Sequence, residues 1–106
     1  MEYIDGNYMD PDLSVAKVSD WVHLSPIYTG ALFKKSQGKS IVTYIHEVRI
    51  LQAKRLLQDP DVSIREISER VGYMTPDYFT RLFRKEVGMT PSRYRTMTLD
   101  GSQNGR

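Results

Sequence analysis

From Ser14 onward the apolar positions fall at helical spacing. Val15, Val18, Trp21 and Val22 make one stripe, and Ser14 stands where it can cap the free amides of the first turn. The pattern returns with Ser63 as cap and Ile64, Ile67 and Val71 as stripe; Glu66, three residues after the serine, completes a capping box. A tight turn follows each stripe, His23-Leu24 in the first copy and Gly72-Tyr73-Met74 in the second. Gly72 stands where helices commonly end in a left-handed residue. The next helix starts alike in both copies: Ser25 or Thr75 caps, and Pro26 or Pro76 takes the first helical position, where a missing N–H does no harm. The inward stripes predicted there are Tyr28, Leu32 and Phe33 in one copy, and Tyr78 or Phe79, Leu82 and Phe83 in the other, ending at Gly38 and Gly88. Val22 pairs with Val71 at an offset of 49, but Ser25 with Thr75 and Phe33 with Phe83 at 50, so the second turn holds one extra residue.

Between the copies, Ser40 to Gln58 contains neither glycine nor proline and carries Ile41, Tyr44, Ile45, Val48, Leu51, Leu56 and Leu57. It reads as one helix of about 28 Å, a rod that fixes the distance and angle between the units it joins. Residues 2–9 read as a short leading helix closed by Asp10-Pro11-Asp12, and Asp59-Pro60-Asp61 closes the long helix in the same way. Pro91 to Arg95 begins a last short helix capped by Thr90, and Tyr94 matches Tyr44. The polar segment Leu99 to Arg106 is expected to be disordered. The expected organisation is a first unit with its linker helix over 1–58, a second unit over 59–98 and a tail over 99–106.

Composition narrows the function. With 106 residues there is room for one small domain or two units sharing a connector, and none for a large enclosed active site. No window is apolar enough to span a bilayer, and the first residues lack the basic and apolar regions of a secretory signal, so a cytoplasmic home is expected. There is no cysteine, hence no disulfide, thiolate metal site or cysteine nucleophile. The net charge of +2 is modest but unevenly spread. Residues 1–33 hold five acids against Lys17. Residues 34–58 hold six bases against Glu47, and residues 81–95 five bases against Glu86. Both basic clusters begin at the second helix of a copy, where an element facing nucleic acid needs them.

With both copies and the connector placed, the second half displays Ile67, Val71-Gly72-Tyr73, Tyr78-Phe79, Arg81, Phe83-Arg84-Lys85, Gly88, Thr90-Pro91 and Tyr94-Arg95. In these residues and in the repeat itself the chain resembles the DNA-binding domain of the AraC/XylS family of bacterial transcription regulators, over roughly residues 3–95. The resemblance implies an all-α fold of seven helices, with two helix-turn-helix units joined by a long linker helix. It also implies a recognition helix in each of two successive major grooves of double-stranded DNA. Family members typically attach this domain to a separate sensing or dimerising domain, though some short ones act alone; the chain is expected to be a piece of a longer regulator, with an N-terminal sensing or receiver domain as partner. An activator is also expected to meet RNA polymerase, though no residue identifies that contact. No cofactor and no metal is implied.

In the second unit the outward positions of the recognition helix are Asp77, Thr80, Arg81 and Arg84. Arg81 is the strongest candidate for base reading, because its guanidinium fork matches the two acceptors of guanine; the competing reading is an ion pair with Asp77 one turn earlier. In the first unit the outward positions are Ile27, Gly30, Ala31 and Lys34. The resemblance makes Gly30 and Ala31 departures, since the family often places larger side chains there. Ile27 and Ala31 are expected to meet thymine methyls while Gly30 allows close backbone approach; the alternative is a helix that touches phosphates alone. Phosphate contacts are expected from Lys34, Lys35, Lys39, Arg84 and Lys85, and from Ser25 and Thr75 at helix N-termini. Arg49, Glu66 and Arg95 are expected in structural ion pairs.

No enzyme constellation is present. His23 and His46 have no nearby nucleophile or metal-ligand spacing and read as surface residues. DNA-repair methyltransferase chemistry, which occurs fused to related domains, requires a cysteine. The rival from another class is a protein-interaction module, with Tyr3, Tyr8, Trp21 and Met74 lining a partner groove and only non-specific affinity for DNA.

Overall fold

The structure is a computed structural model that describes the backbone of residues 2–103 and the side chains of 2–100. The described residues form seven helices: α1 (Glu2–Asn7), α2 (Val15–Val22), α3 (Pro26–Gln37), α4 (Ile41–Leu56), α5 (Ile64–Arg70), α6 (Pro76–Val87) and α7 (Pro91–Gln103). Their starts are chemical. The hydroxyls of Ser14, Ser25, Ser40, Ser63 and Thr75 accept the amide three residues on, at 3.0–3.3 Å, and Thr90 does the same for Arg93. Only one arm of the expected capping box is used by Ser63 and Glu66, because the Glu66 carboxylate pairs with Arg70 at 2.6 Å.

α2 and α5 end in identical Schellman caps. His23 and Gly72 both hold positive φ (61° and 102°), and the amides of Leu24 and Tyr73 reach back to Ser19 and Ser68. Bond for bond, Tyr73 therefore stands where Leu24 does, and Met74 is the extra residue. Ser19 and Ser68 are themselves buried, and each hydroxyl donates to the carbonyl three residues back.

Two hydrophobic cores result, and α4 serves both. Ile4, Leu13, Val18, Phe33, Ile41 and Ile45 form the first; Ile50, Ala53, Leu57, Val62, Ile67, Val71, Tyr73, Phe79 and Phe83 form the second. A fully buried side chain of this size contributes about 1.5–3 kcal/mol. The long helix is thus part of each unit's interior, and residue 58 falls beside Leu57, at the heart of the second core. The second core carries an aromatic run from Tyr73 through Phe79 and Phe83 to Tyr94, with centroids 5.6–5.7 Å apart; in the first, Phe33 meets Tyr44 at 5.4 Å.

Several expectations are corrected. In α3 the buried residues are Thr29 and Phe33, while Tyr28 and Leu32 face solvent; in α6, of the alternatives Tyr78 and Phe79, Phe79 is buried with Phe83 and Tyr78 is exposed. Trp21 lies outside the core, 58% exposed and stacked on Tyr3 at 4.9 Å. α1 ends at Asn7, with Tyr8 and Met9 already in the turn. The expected disorder from Leu99 gives way to α7, which continues to Gln103; it is tied down by Thr98, whose hydroxyl accepts from Gln58 at 3.0 Å and donates to the Tyr94 carbonyl. Residues 104–106 of the predicted tail lie outside the described residues.

Candidate nucleic-acid interface

α3 and α6 hold equivalent places in the two units, each packed against the helix before it and each starting at a capped proline turn. Phe79 and Phe83, wholly buried one turn apart, fix the rotation of α6. That rotation leaves Asp77, Arg81, Arg84 and Lys85 exposed and Thr80 half-buried on the surface. α3 is set in the same way by Thr29 and Phe33. Ile27 (87% exposed), Ala31, Lys34 and Lys35 lie in solvent, and Gly30 has nothing within 4 Å of where a Cβ would stand. All six candidate base-reading residues therefore lie on or near the outer surfaces of two equivalent helices.

The chemistry of the two surfaces differs. The Arg81 guanidinium lies over the Tyr78 ring, 5.9 Å from its centroid, and among the described residues no ion pair joins it to Asp77. A cation resting on an aromatic face keeps all its N–H donors free, which suits a reader of base edges. α3 presents a mostly apolar surface of Ile27, Ala31 and Leu32 with the Tyr28 ring, and its lysines lie in the last turn. Ser25 and Thr75 are exposed, and their hydroxyls are engaged in capping Tyr28 and Tyr78. The other first-turn amides stay directed outward, a favourable place for a phosphate.

Lys39, a phosphate candidate, also has a partner within the chain. Its ammonium contacts both carboxylate oxygens of Glu47 at 2.8 Å, so its charge is largely balanced within the chain, unlike that of Lys34 or Lys35.

Sequence reasoning missed the cluster behind this surface. Arg49 is 5% exposed and among the described residues pairs with no carboxylate: Nε donates to the Tyr8 carbonyl and Nη2 to that of Asp10, both at 2.8 Å, while its guanidinium lies 5.0 Å from the Tyr73 ring centroid. Arg95 does likewise, donating to the carbonyls of Leu57, Asp59 and Val62. His46 is half-buried and not a surface residue. Its ring stacks on Tyr73, and Nδ1 lies 2.8 Å from the Tyr73 hydroxyl. Burial, and secondarily the Arg49 charge, pulls the His46 pKa below its ordinary value; burial pushes the Tyr73 hydroxyl up. The extra residue in the second turn was the available signal that this turn packs differently.

Among the described residues no helix is long and apolar enough to cross a membrane. A helix-turn-helix domain model matches residues 18–97. The bifunctional transcriptional activator/DNA repair enzyme AdaA of Bacillus subtilis is 37% identical over 105 residues, covering 98% of this chain and 49% of that protein. The arabinose operon regulatory protein of Escherichia coli is 34% identical over 94 residues, covering 89% of this chain and 32% of that one. Among solved structures, the C-terminal domain of AraT, a response regulator from Geobacillus stearothermophilus, superposes with a TM-score of 0.88 at 33% identity, over 91% of this chain and 79% of that chain. The chain spans half or less of the length of these curated relatives.

Proposed function

The chain belongs to the AraC/XylS-type helix-turn-helix family, the DNA-binding domains of transcription regulators, and from that premise we propose that it reads an asymmetric duplex site. α6 is the strong reader, with Arg81 on a guanine and Thr80 and Asp77 beside it. α3 recognises its groove by methyl contacts from Ile27 and Ala31 and by the close approach that Gly30 allows. Lys34, Lys35, Arg84 and Lys85, with the capped ends at Ser25 and Thr75, hold phosphates and set the register. The observation that carries this is the pair of buried phenyl rings in α6, which turn a charged face outward, set against the mostly apolar outer face of α3. The molecule is 49 Å long, which leaves room for two helices about 34–36 Å apart, one turn of DNA.

In this reading the chain is the output part of a longer regulator whose other domain senses a signal or receives a phosphoryl group, and RNA polymerase is a partner of the assembled protein. The length of the curated relatives supports the first of these. Fluorescence anisotropy on a labelled duplex from a selected pool tests the DNA reading. Affinity should fall steeply between 50 and 200 mM salt, by about 10³-fold if some six phosphates are held, and a scrambled duplex should bind more weakly at every salt concentration. Binding indifferent to salt or sequence would favour the interaction-module reading.

A further inference from the structure

Arg49 is at the centre of a cluster where the two units meet. From α4 it reaches forward to the loop before α2, through the Tyr8 and Asp10 carbonyls, and its other face meets Tyr73 in the turn of the second unit. Tyr73 is held in turn by His46 of α4, and Tyr8 packs against the second core. Gly72 closes the joint: a Cβ there would stand 2.5 Å from the Tyr8 carbonyl oxygen and 3.0 Å from Arg49 Nε. Among the described residues no carboxylate touches this buried guanidinium, which is held by these carbonyls and this ring face, so a shift of one unit against the other would strip a charge of its contacts.

The internal repeat makes the point sharper. Arg95 grips Leu57 and Asp59, the counterparts of Tyr8 and Asp10 at an offset of 49, with the same Nε and Nη2 atoms. In register, however, Arg95 corresponds to Ile45 (Tyr94 to Tyr44), and Arg49 sits one helical turn beyond that position. The displaced arginine performs the same clasp and also reaches the second unit. All three acceptors of Arg95 lie within residues 57–62, inside the second unit.

We propose that Arg49, seated between the loop at Tyr8–Asp10 and Tyr73, is a positioning residue that sets which spacing between the two half-sites the chain accepts. The inference rests on the two-groove reading above. One inserted base pair moves a half-site by about 3.4 Å and turns it by about 34–36°, a mismatch that a rigid pair of readers rejects and a jointed pair follows.

The test uses the full chain and duplexes in which the selected site has its spacer altered by −1, +1 or +2 base pairs, with affinities from anisotropy and folding checked by circular dichroism. Wild type should prefer one spacer by about tenfold or more. Arg49→Lys, which keeps the charge and loses the fork, should bind the best spacer within a few-fold while its discrimination drops below about threefold; Tyr73→Leu, which installs the Leu24 counterpart, should do the same. Arg95→Lys should lower the melting temperature and leave discrimination intact. The proposal is overturned if either folded joint variant keeps the wild-type spacer profile, or if Arg95→Lys flattens it equally. Absence of any wild-type preference among duplexes would overturn the two-groove reading beneath it, a result distinguishable from an unchanged profile in the variants.

Discussion

Gly72→Ala should destabilise the fold far more than the same change at Gly38 or Gly88, although all three glycines close helices at positive φ. Gly38 (φ +76°) and Gly88 (φ +91°) have nothing within 4 Å of an added Cβ, so alanine there costs the left-handed strain alone, about 1–2 kcal/mol. At Gly72 (φ +102°) the methyl would also meet a backbone oxygen at 2.5 Å, which cannot swing aside as a side chain does. Overpacking of this kind adds about 1–3 kcal/mol, for a total of about 2–5 kcal/mol. The first copy supports the distinction, since His23 occupies the same corner of the same cap with φ 61° and is exposed. Urea unfolding of the three alanine variants, fitted with a common slope, measures the difference. If Gly72→Ala costs no more than Gly38→Ala and Gly88→Ala, the close approach of the second turn to Tyr8 is refuted, and with it the tight joint between the units.

Three further outcomes follow from the surface and its support. Lys34→Ala and Lys35→Ala should each reduce the slope of log affinity against log salt by about one, and Lys39→Ala by clearly less, because Glu47 already neutralises it; salt titrations of the three variants decide. Tyr78→Leu removes the ring beneath Arg81 and should weaken specific binding by about 0.5–1 kcal/mol, with non-specific affinity nearly unchanged in a competition assay. His46 has a folded-state pKa depressed below 6.5, chiefly by burial, so the unfolded chain binds the extra proton first as pH falls; stability should be full above about pH 6.5 and decline below it. His46→Asn should flatten that decline between pH 7 and 5.5 in urea unfolding.

Much of the fold was legible because its signals are local. A serine or threonine three residues before the amide it caps, a proline at the first position and a glycine just past the end act within one turn, and the starts read at Ser14, Ser25, Ser63, Thr75 and Thr90 hold. The rotation of α3 was harder to see. Ile27, Tyr28, Ala31, Leu32 and Phe33 spread around the helix, so composition cannot say which side packs; contact with α2 chooses Thr29 and Phe33. In α6 the charged residues leave only one apolar side, and of the two adjacent rings that could have faced inward, Tyr78 and Phe79, packing selects Phe79. The tail illustrates the opposite limit: polar composition argues against burial and not against helix, and Gln58 gives α7 an anchor forty residues away in sequence. Arg49 and Arg95 were expected in ion pairs, but their partners are backbone carbonyls that no side-chain pattern announces.

On the proposed reading, two equivalent helices on one scaffold read DNA unequally, with Arg81 as the principal base reader. Selection from a random duplex pool, run in parallel with wild type and Arg81→Ala, separates this most directly from symmetric reading. The wild-type site should have one sharply defined half containing a guanine and one weakly defined half. Arg81→Ala should lose the preference at that guanine, a cost of about 1–3 kcal/mol, while the rest of the site persists. Two equally sharp halves in the wild-type site, or an unchanged guanine with Arg81→Ala, would contradict it.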